Sequence, residues 1–229
     1  MMGAGSLDVA GPPAGIVDVW CVALDELAWS DAGLDGVLDP GERRRAERMR
    51  VGGREWSWGR GAQRTILAHY LGLPAADIRF DYSASGKPRL AGDRRLAFSF
   101  ARTDGLALLA VSRDRELGVD VERENPRTDV AVVAREFLSP LELAAIECAP
   151  VEERRAAFFR AWVRHEARLK LLGHGLAGDP GPGGRALGAP LVVRSLALQP
   201  GFAAALAAEG GGWSVRVHEF ELAPVPSAT

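Results

Sequence analysis

The chain has 229 residues, 47% of them hydrophobic and 25% charged, with a formal net charge of -2. That length supports a substantial core, as one large domain or two halves of about 110 residues, without a metal or disulfides to hold it. The charge balance excludes a generally basic nucleic-acid coat. Two cysteines, Cys21 and Cys148, make neither a disulfide framework nor a metal knuckle, so the chain reads as a cytoplasmic protein.

Residues 1–15 carry no positive leader followed by an unbroken apolar run and read as a loose extension. The longest apolar stretches, such as 105–111, are too short to cross a bilayer. Residues 16–24 pattern as a strand. Asp39-Pro40-Gly41-Glu42 then supplies a helix start, with Asp as N-cap, Pro at the first helical position and Glu at N3. A charged segment and a more apolar one, Gly61 to Leu71, follow. Strands are expected at 77–82 and 96–100, around the turn Ser85-Gly86-Lys87-Pro88, and a hairpin from 106–112 and 117–122.

The helix start then repeats. Ser139-Pro140-Leu141-Glu142 lies 100 positions after Asp39-Pro40-Gly41-Glu42, and Leu172-Gly173 echoes Leu71-Gly72. The shared order favours two similarly built α+β halves, 16–105 and 106–224, each a helix packed on an antiparallel sheet, with a disordered tail at 225–229. A long helix is expected at 152–172, then a Gly- and Pro-rich loop from 174 to 190, then strands at 191–198 and 213–222. No Gly-x-Gly-x-x-Gly follows a strand, which disfavours a dinucleotide fold.

Three constellations could carry chemistry. In Gly118-Val119-Asp120-Val121-Glu122, strand alternation turns both carboxylates to one side and both valines to the other. Their repulsion is answered by a hard cation such as Mg²⁺, or the segment is a half-solvated strand end. On the later helix Trp162, Glu166 and Lys170 share one stripe, as a site facing ligand or as an ordinary helix ion pair beside a core tryptophan. Glu42 to Arg64 holds eight Arg against three acids, a field suited to phosphate or a solvated helix face. The chain has only two Lys, Lys87 and Lys170, among 28 Lys and Arg.

Together these segments resemble the 4'-phosphopantetheinyl transferases of the surfactin-synthetase-activating type, over about residues 17–222. Gly118–Glu122 matches the family's G-(V/I)-D-(V/I)-E. Trp162–Lys170 matches W-x-x-K-E-A-x-x-K except at His165, and Gly173-His174-Gly175-Leu176 continues it. Gly86-Lys87-Pro88 matches the G-K-P segment, and Arg60 and Arg64 an R-x-x-x-R.

The resemblance implies two pseudo-symmetric halves around a cleft and a monomeric enzyme. Its activity would be transfer of the phosphopantetheine arm of coenzyme A onto a serine of an acyl or peptidyl carrier protein, releasing 3',5'-ADP. Such carriers serve fatty-acid, polyketide and nonribosomal peptide synthesis. Neither nucleic acid nor membrane is an implied partner. Asp120, Glu122 and Glu166 would hold Mg²⁺, Glu166 would take the serine proton, and Lys170 would contact the phosphates or the attacking hydroxyl. Asp120 is expected to face solvent. Lys87, Arg44, Arg48, Arg54, Arg60 and Arg64 would hold nucleotide phosphates, and the 174–190 loop would admit the carrier.

Two departures are evident: Ser99-Phe100 stands where the family has a serine-histidine pair whose histidine touches the 3'-phosphate, and His165 replaces a Lys. The resemblance implies that Phe100 packs against the adenine or the wall beneath it. Competing readings are a metal-dependent phosphodiesterase or nucleotidyl hydrolase on the same residues, and a non-catalytic carrier-binding relative.

Overall fold

The structure, a computed structural model, describes residues 11–27, 29–92, 96–173 and 188–222. The expected extension and tail (1–15 and 225–229) fall largely or wholly outside those residues, as does the 174–190 loop.

The chain begins with strand β1 (Ile16–Ala23) and a short helix α1 (Asp31–Asp35). Helix α2 (Pro40–Arg48) starts where expected. The Asp39 side chain accepts from the backbone of Gly41 and Glu42, and the Glu42 carboxylate accepts from Asp39 N. Helix α3 (Gly53–Leu71) ends at Gly72, whose φ of 64° is the left-handed conformation that lets a helix terminate.

Strands β2 (Phe80–Tyr82) and β3 (Pro88–Leu90) make a small hairpin. β4 (Ala97–Thr103) and β5 (Leu106–Ser112) make a second, turned at Asp104-Gly105. After β6 (Leu117–Arg123) come α4 (Val130–Phe137), α5 (Pro140–Cys148) and α6 (Arg154–Leu172). The capping box recurs at Ser139 and Glu142, and α6 ends on another left-handed glycine, Gly173. Strands β7 (Leu191–Leu196), β8 (Phe202–Glu209) and β9 (Ser214–Glu219) close the chain.

One sheet is ordered β4-β5-β1-β9 and the other β6-β8-β7. Three apolar clusters stack these elements into four layers. One face of β1, β4 and β5 packs on α3, through Trp20, Val22, Phe98 and Leu109 against Trp58, Ile66 and Leu67. The other face meets the second sheet, Val19 and Leu108 against Val119, Val121 and Leu206. The outer face of β8 is small, Ala203, Ala205 and Ala207, so α6 lies close on it through Phe158, Val163 and Ala167.

One expectation is corrected. β5 and β6 are not a hairpin: β5 pairs with β1 and β4, whereas β6 pairs with β8. The expected boundary at 105/106 lies in the turn of the β4–β5 hairpin, and the chain passes from the first sheet to the second at 113–116. β9 returns to pair in parallel with β1 in the first sheet.

That return is locked by charge. Asp18, fully buried on β1, accepts from Arg216 Nε and the Tyr70 hydroxyl, each at 2.7 Å, with His218 Nε2 at 3.0 Å. Burial alone would raise its carboxyl; the bonds from Arg216, Tyr70 and His218 outweigh it and hold the group below the ordinary carboxylate range. A native value below the unfolded one stabilises the fold above the unfolded value and is lost as pH falls through the native one. Chemical denaturation should accordingly show Asp18→Asn less stable by about 2 kcal/mol at pH 7. The gap should narrow as pH falls from the unfolded carboxyl value through the lower native one, where both forms become uncharged; a gap independent of pH would rule out the ionic part.

Candidate active site

Strand β6 sets the site. Leu117, Val119 and Val121 enter the inter-sheet core, so Gly118, Asp120 and Glu122 face α6. Gly118 is the point of closest approach: a Cβ there would be driven into the Ala167 carbonyl oxygen and come within 2.5 Å of Leu171 N. This contact seats Glu166 and Lys170, carried on the same turns of α6, over the strand.

Lys170 Nζ donates to Asp120 Oδ1 at 2.7 Å, joining helix to strand. The expectation of a solvent-facing Asp120 is corrected: the residue is 4% exposed, covered by α6. Glu122, half-buried, accepts from Thr103 Oγ1 at 3.1 Å and lies beside the Trp162 side chain. Burial raises the carboxyl of Asp120 against the pull of Lys170. Burial first, then the Asp120 charge, raises those of Glu122 and Glu166. Asp120 Oδ2 and Glu166 Oε1 are buried with no hydrogen-bond partner among the described residues.

Three mutually repelling carboxylates with one ammonium, two of their oxygens desolvated and unbonded, form a donor set that fits a hard divalent cation. Among the described residues no three acidic or histidine side chains are drawn together into a ready-made coordination shell.

Two recesses flank this row. One, of about 200 Å³, brings together Lys87, Ser99, Phe100 and Lys170, with Phe98 and the Ser85–Gly86 backbone. Lys87 Nζ donates to Leu117 O at 2.8 Å and pairs with Glu116 at 3.7 Å. The Ser99 hydroxyl is turned inward, accepting from Val119 N at 3.0 Å. Phe100 packs over Gly59 of α3 while lining the recess. The second recess, of about 270 Å³, lies at the Glu122 end between Thr103, Asn125, Phe158, Phe159 and Trp162.

The arginine field does not join the recess. Arg64 has a fully buried side chain. It donates to Glu42 (2.6 Å), Asp39 (3.0 Å) and the carbonyls of Ala75 (2.8 Å) and Ile78 (3.0 Å). Arg60 pairs with Glu42 at 3.3 Å and donates to Gln63 at 2.7 Å. Both lock the α2 capping box to α3. Arg44 and Arg48 are exposed on α2, and Arg54 stacks on Trp58 at 4.5 Å. None of the five lines the recess that holds Lys87 and Lys170.

Sequence reasoning passed over Arg102. Counting alternate positions along β4 puts it on the face of Phe98 and Phe100. Its guanidinium is a third exposed and, among the described residues, pairs with Glu55 at 4.0 Å. His165 sits on the neighbouring face of α6, stacked on Trp162 at 6.0 Å and 3.2 Å from Arg168; burial and then the Arg168 charge depress its pKa.

The strand carboxylates Asp120 and Glu122 thus face Glu166 and Lys170 of α6, with Lys170 bonded to Asp120, beside a recess lined by Lys87 and Lys170. The model of the 4'-phosphopantetheinyl transferase superfamily matches residues 116–184, spanning β6 through α6. The 4'-phosphopantetheinyl transferase HetI of Nostoc sp. is 36% identical over 167 residues, 70% of this chain and 70% of that protein. The 4'-phosphopantetheinyl transferase AcpT of Escherichia coli K12 is 33% identical over 137 residues, 59% of this chain and 66% of its own length. A 4'-phosphopantetheinyl transferase of Bacillus subtilis is 27% identical over 114 residues, half of each chain. The chain belongs to the 4'-phosphopantetheinyl transferase superfamily.

Proposed function

We propose that this protein moves the phosphopantetheine arm of coenzyme A onto a serine hydroxyl of an acyl or peptidyl carrier protein and releases 3',5'-ADP. The observation that carries the mechanism is the Lys170–Asp120 clasp beside Glu122 and Glu166, with two buried carboxylate oxygens unbonded among the described residues.

In the transfer the serine oxygen bonds to the pantetheine-side phosphorus, the bond to the 3',5'-ADP oxygen breaks, and the serine proton leaves to a base. Asp120, Glu122 and Glu166 would hold Mg²⁺, which supplies neutralisation of the pyrophosphate oxygens. Glu166 is the proton acceptor: its unbonded Oε1 and upward-shifted carboxyl make it a better base than an ordinary solvated glutamate. Lys170 and Lys87 place positive charge at the recess that takes the nucleotide, between Phe98 and Phe100. Arg102, loosely paired on that face, is the candidate for the 3'-phosphate.

The reading extends to two pseudo-symmetric halves. Each capping box is followed by a 19-residue helix that ends on a left-handed glycine. Both halves lying in one chain supports a monomeric unit, and two free cysteines suit the cytoplasm. No helix among the described residues is long and apolar enough to cross a membrane.

Incubation with coenzyme A, Mg²⁺ and an apo carrier protein, followed by intact mass of the carrier, tests the function. A gain of one phosphopantetheine is expected. Nucleotide release without carrier modification would instead indicate a hydrolase. The same assay run with 3'-dephospho-coenzyme A should show a weaker substrate, and Arg102→Ala should narrow the difference. An unchanged difference would remove Arg102 from the nucleotide site.

A further inference from the structure

We propose that Thr103 and Trp162 are positioning residues that hold the Glu122 carboxylate ready for a divalent cation, a role that rests on the metal-assisted reading above. Thr103 ends β4 in the first sheet, whereas Glu122 and Arg123 end β6 in the second. A threonine hydroxyl has a single hydrogen and lone pairs that accept. Here the Arg123 backbone N–H donates into the hydroxyl oxygen at 3.2 Å, and the hydroxyl donates onward to Glu122 Oε2 at 3.1 Å. The Arg123 amide therefore fixes which way the hydroxyl points. The β-branched side chain, stiff about χ1, fixes where it stands.

Trp162 stands beside the carboxylate on the helix side. The ring itself cannot swing freely: it stacks on Phe158 at 6.2 Å and meets Phe137 edge-on at 5.6 Å. Thr103, Glu122 and Trp162 share the wall of the second recess.

The three carboxylates are thus held differently. Asp120 is clasped by an ammonium that partly cancels its charge. Glu166 has a buried oxygen with no partner among the described residues. Glu122 is oriented by the neutral Thr103 hydroxyl and bounded by the Trp162 ring, which leave its full charge for a cation. Partners of this kind, one shell out from a metal, typically alter affinity about 10- to 100-fold when removed.

The test uses Mn²⁺ alone as probe, with free Mn²⁺ counted by electron paramagnetic resonance. Thr103→Val keeps the shape and loses the hydroxyl; Trp162→Phe keeps an aromatic ring but shortens the wall beside the carboxylate. Each should raise the Mn²⁺ dissociation constant about tenfold, and Thr103→Ser should bring it back towards the wild-type value. Wild-type Mn²⁺ affinity in both the Val and Phe variants overturns the proposal, as does a Ser variant as weak as Val, which would mark a packing effect. Asp120→Asn separates the two levels. If it weakens Mn²⁺ binding while Thr103→Val and Trp162→Phe do not, only the positioning role fails. If the wild type binds no Mn²⁺, or Asp120→Asn changes nothing, the metal reading fails and takes the positioning role with it. Should Thr103→Val not fold, Trp162→Phe decides.

Discussion

Glu166→Gln should fold like the wild type and lose transfer by on the order of a thousandfold or more, because it removes a general base and a metal-binding charge together. The residue is half-buried on α6, and one of its oxygens makes no hydrogen bond among the described residues, so the amide replaces no structural contact there. Excess Mg²⁺ should not restore the rate, since basicity is lost along with charge. The competing view, an i,i+4 helix ion pair with Lys170, predicts a change of only about 0.2–0.5 kcal/mol and quiet kinetics. The geometry opposes that view, because Lys170 gives its 2.7 Å bond to Asp120 on β6. Single-turnover transfer beside a melting curve separates them, and wild-type turnover would take Glu166 out of the site.

Gly118→Ala should be the most damaging small substitution in the fold. The added methyl meets backbone, the Ala167 carbonyl and Leu171 N, rather than a side chain that could swing aside. Overpacking of this kind costs roughly 1–3 kcal/mol and more where rigid elements collide. Its functional effect should exceed that figure, because α6 must lift off β6 and carry Glu166 and Lys170 away from Asp120 and Glu122. A thermal melt and a transfer rate on the same preparation check this. A variant with wild-type stability and rate would show that the close approach of α6 does not govern the site.

How much of this was legible beforehand follows from the range of each interaction. Both capping boxes, at Asp39 and Ser139, are written within four residues and appear as read. The opposed faces of Val119 and Asp120 follow from strand alternation, and the common stripe of Glu166 and Lys170 from helical spacing. Each depends on one element alone.

Partnership between elements was not legible. Alternation names faces without naming neighbours, and β5 is buried along its whole length, so nothing local forbade the hairpin with β6. The parallel pairing of β9 with β1 joins Ile16 to Ser214, beyond the reach of any local pattern. The bonds of the arginine field were hidden for a related reason. Charge counting registered Arg60 and Arg64 but not that Glu42, the capping residue of α2, would fold back onto both. Asp120 was expected in solvent because a lone strand has two sides; α6 covers one of them. Thr103 and Arg102 left a fainter trace, the parity of β4, which puts Arg102 beside Phe100 and Thr103 on the face turned to β6.

The central claim, that Asp120, Glu122 and Glu166 serve metal-assisted transfer from coenzyme A to a carrier serine, is tested most directly by metal removal and return. Wild-type enzyme treated with EDTA should leave an apo carrier protein at its starting mass in the presence of coenzyme A. Added Mg²⁺ should restore the gain of one phosphopantetheine, and should fail to do so for Glu166→Gln. Full carrier modification in EDTA would contradict the account.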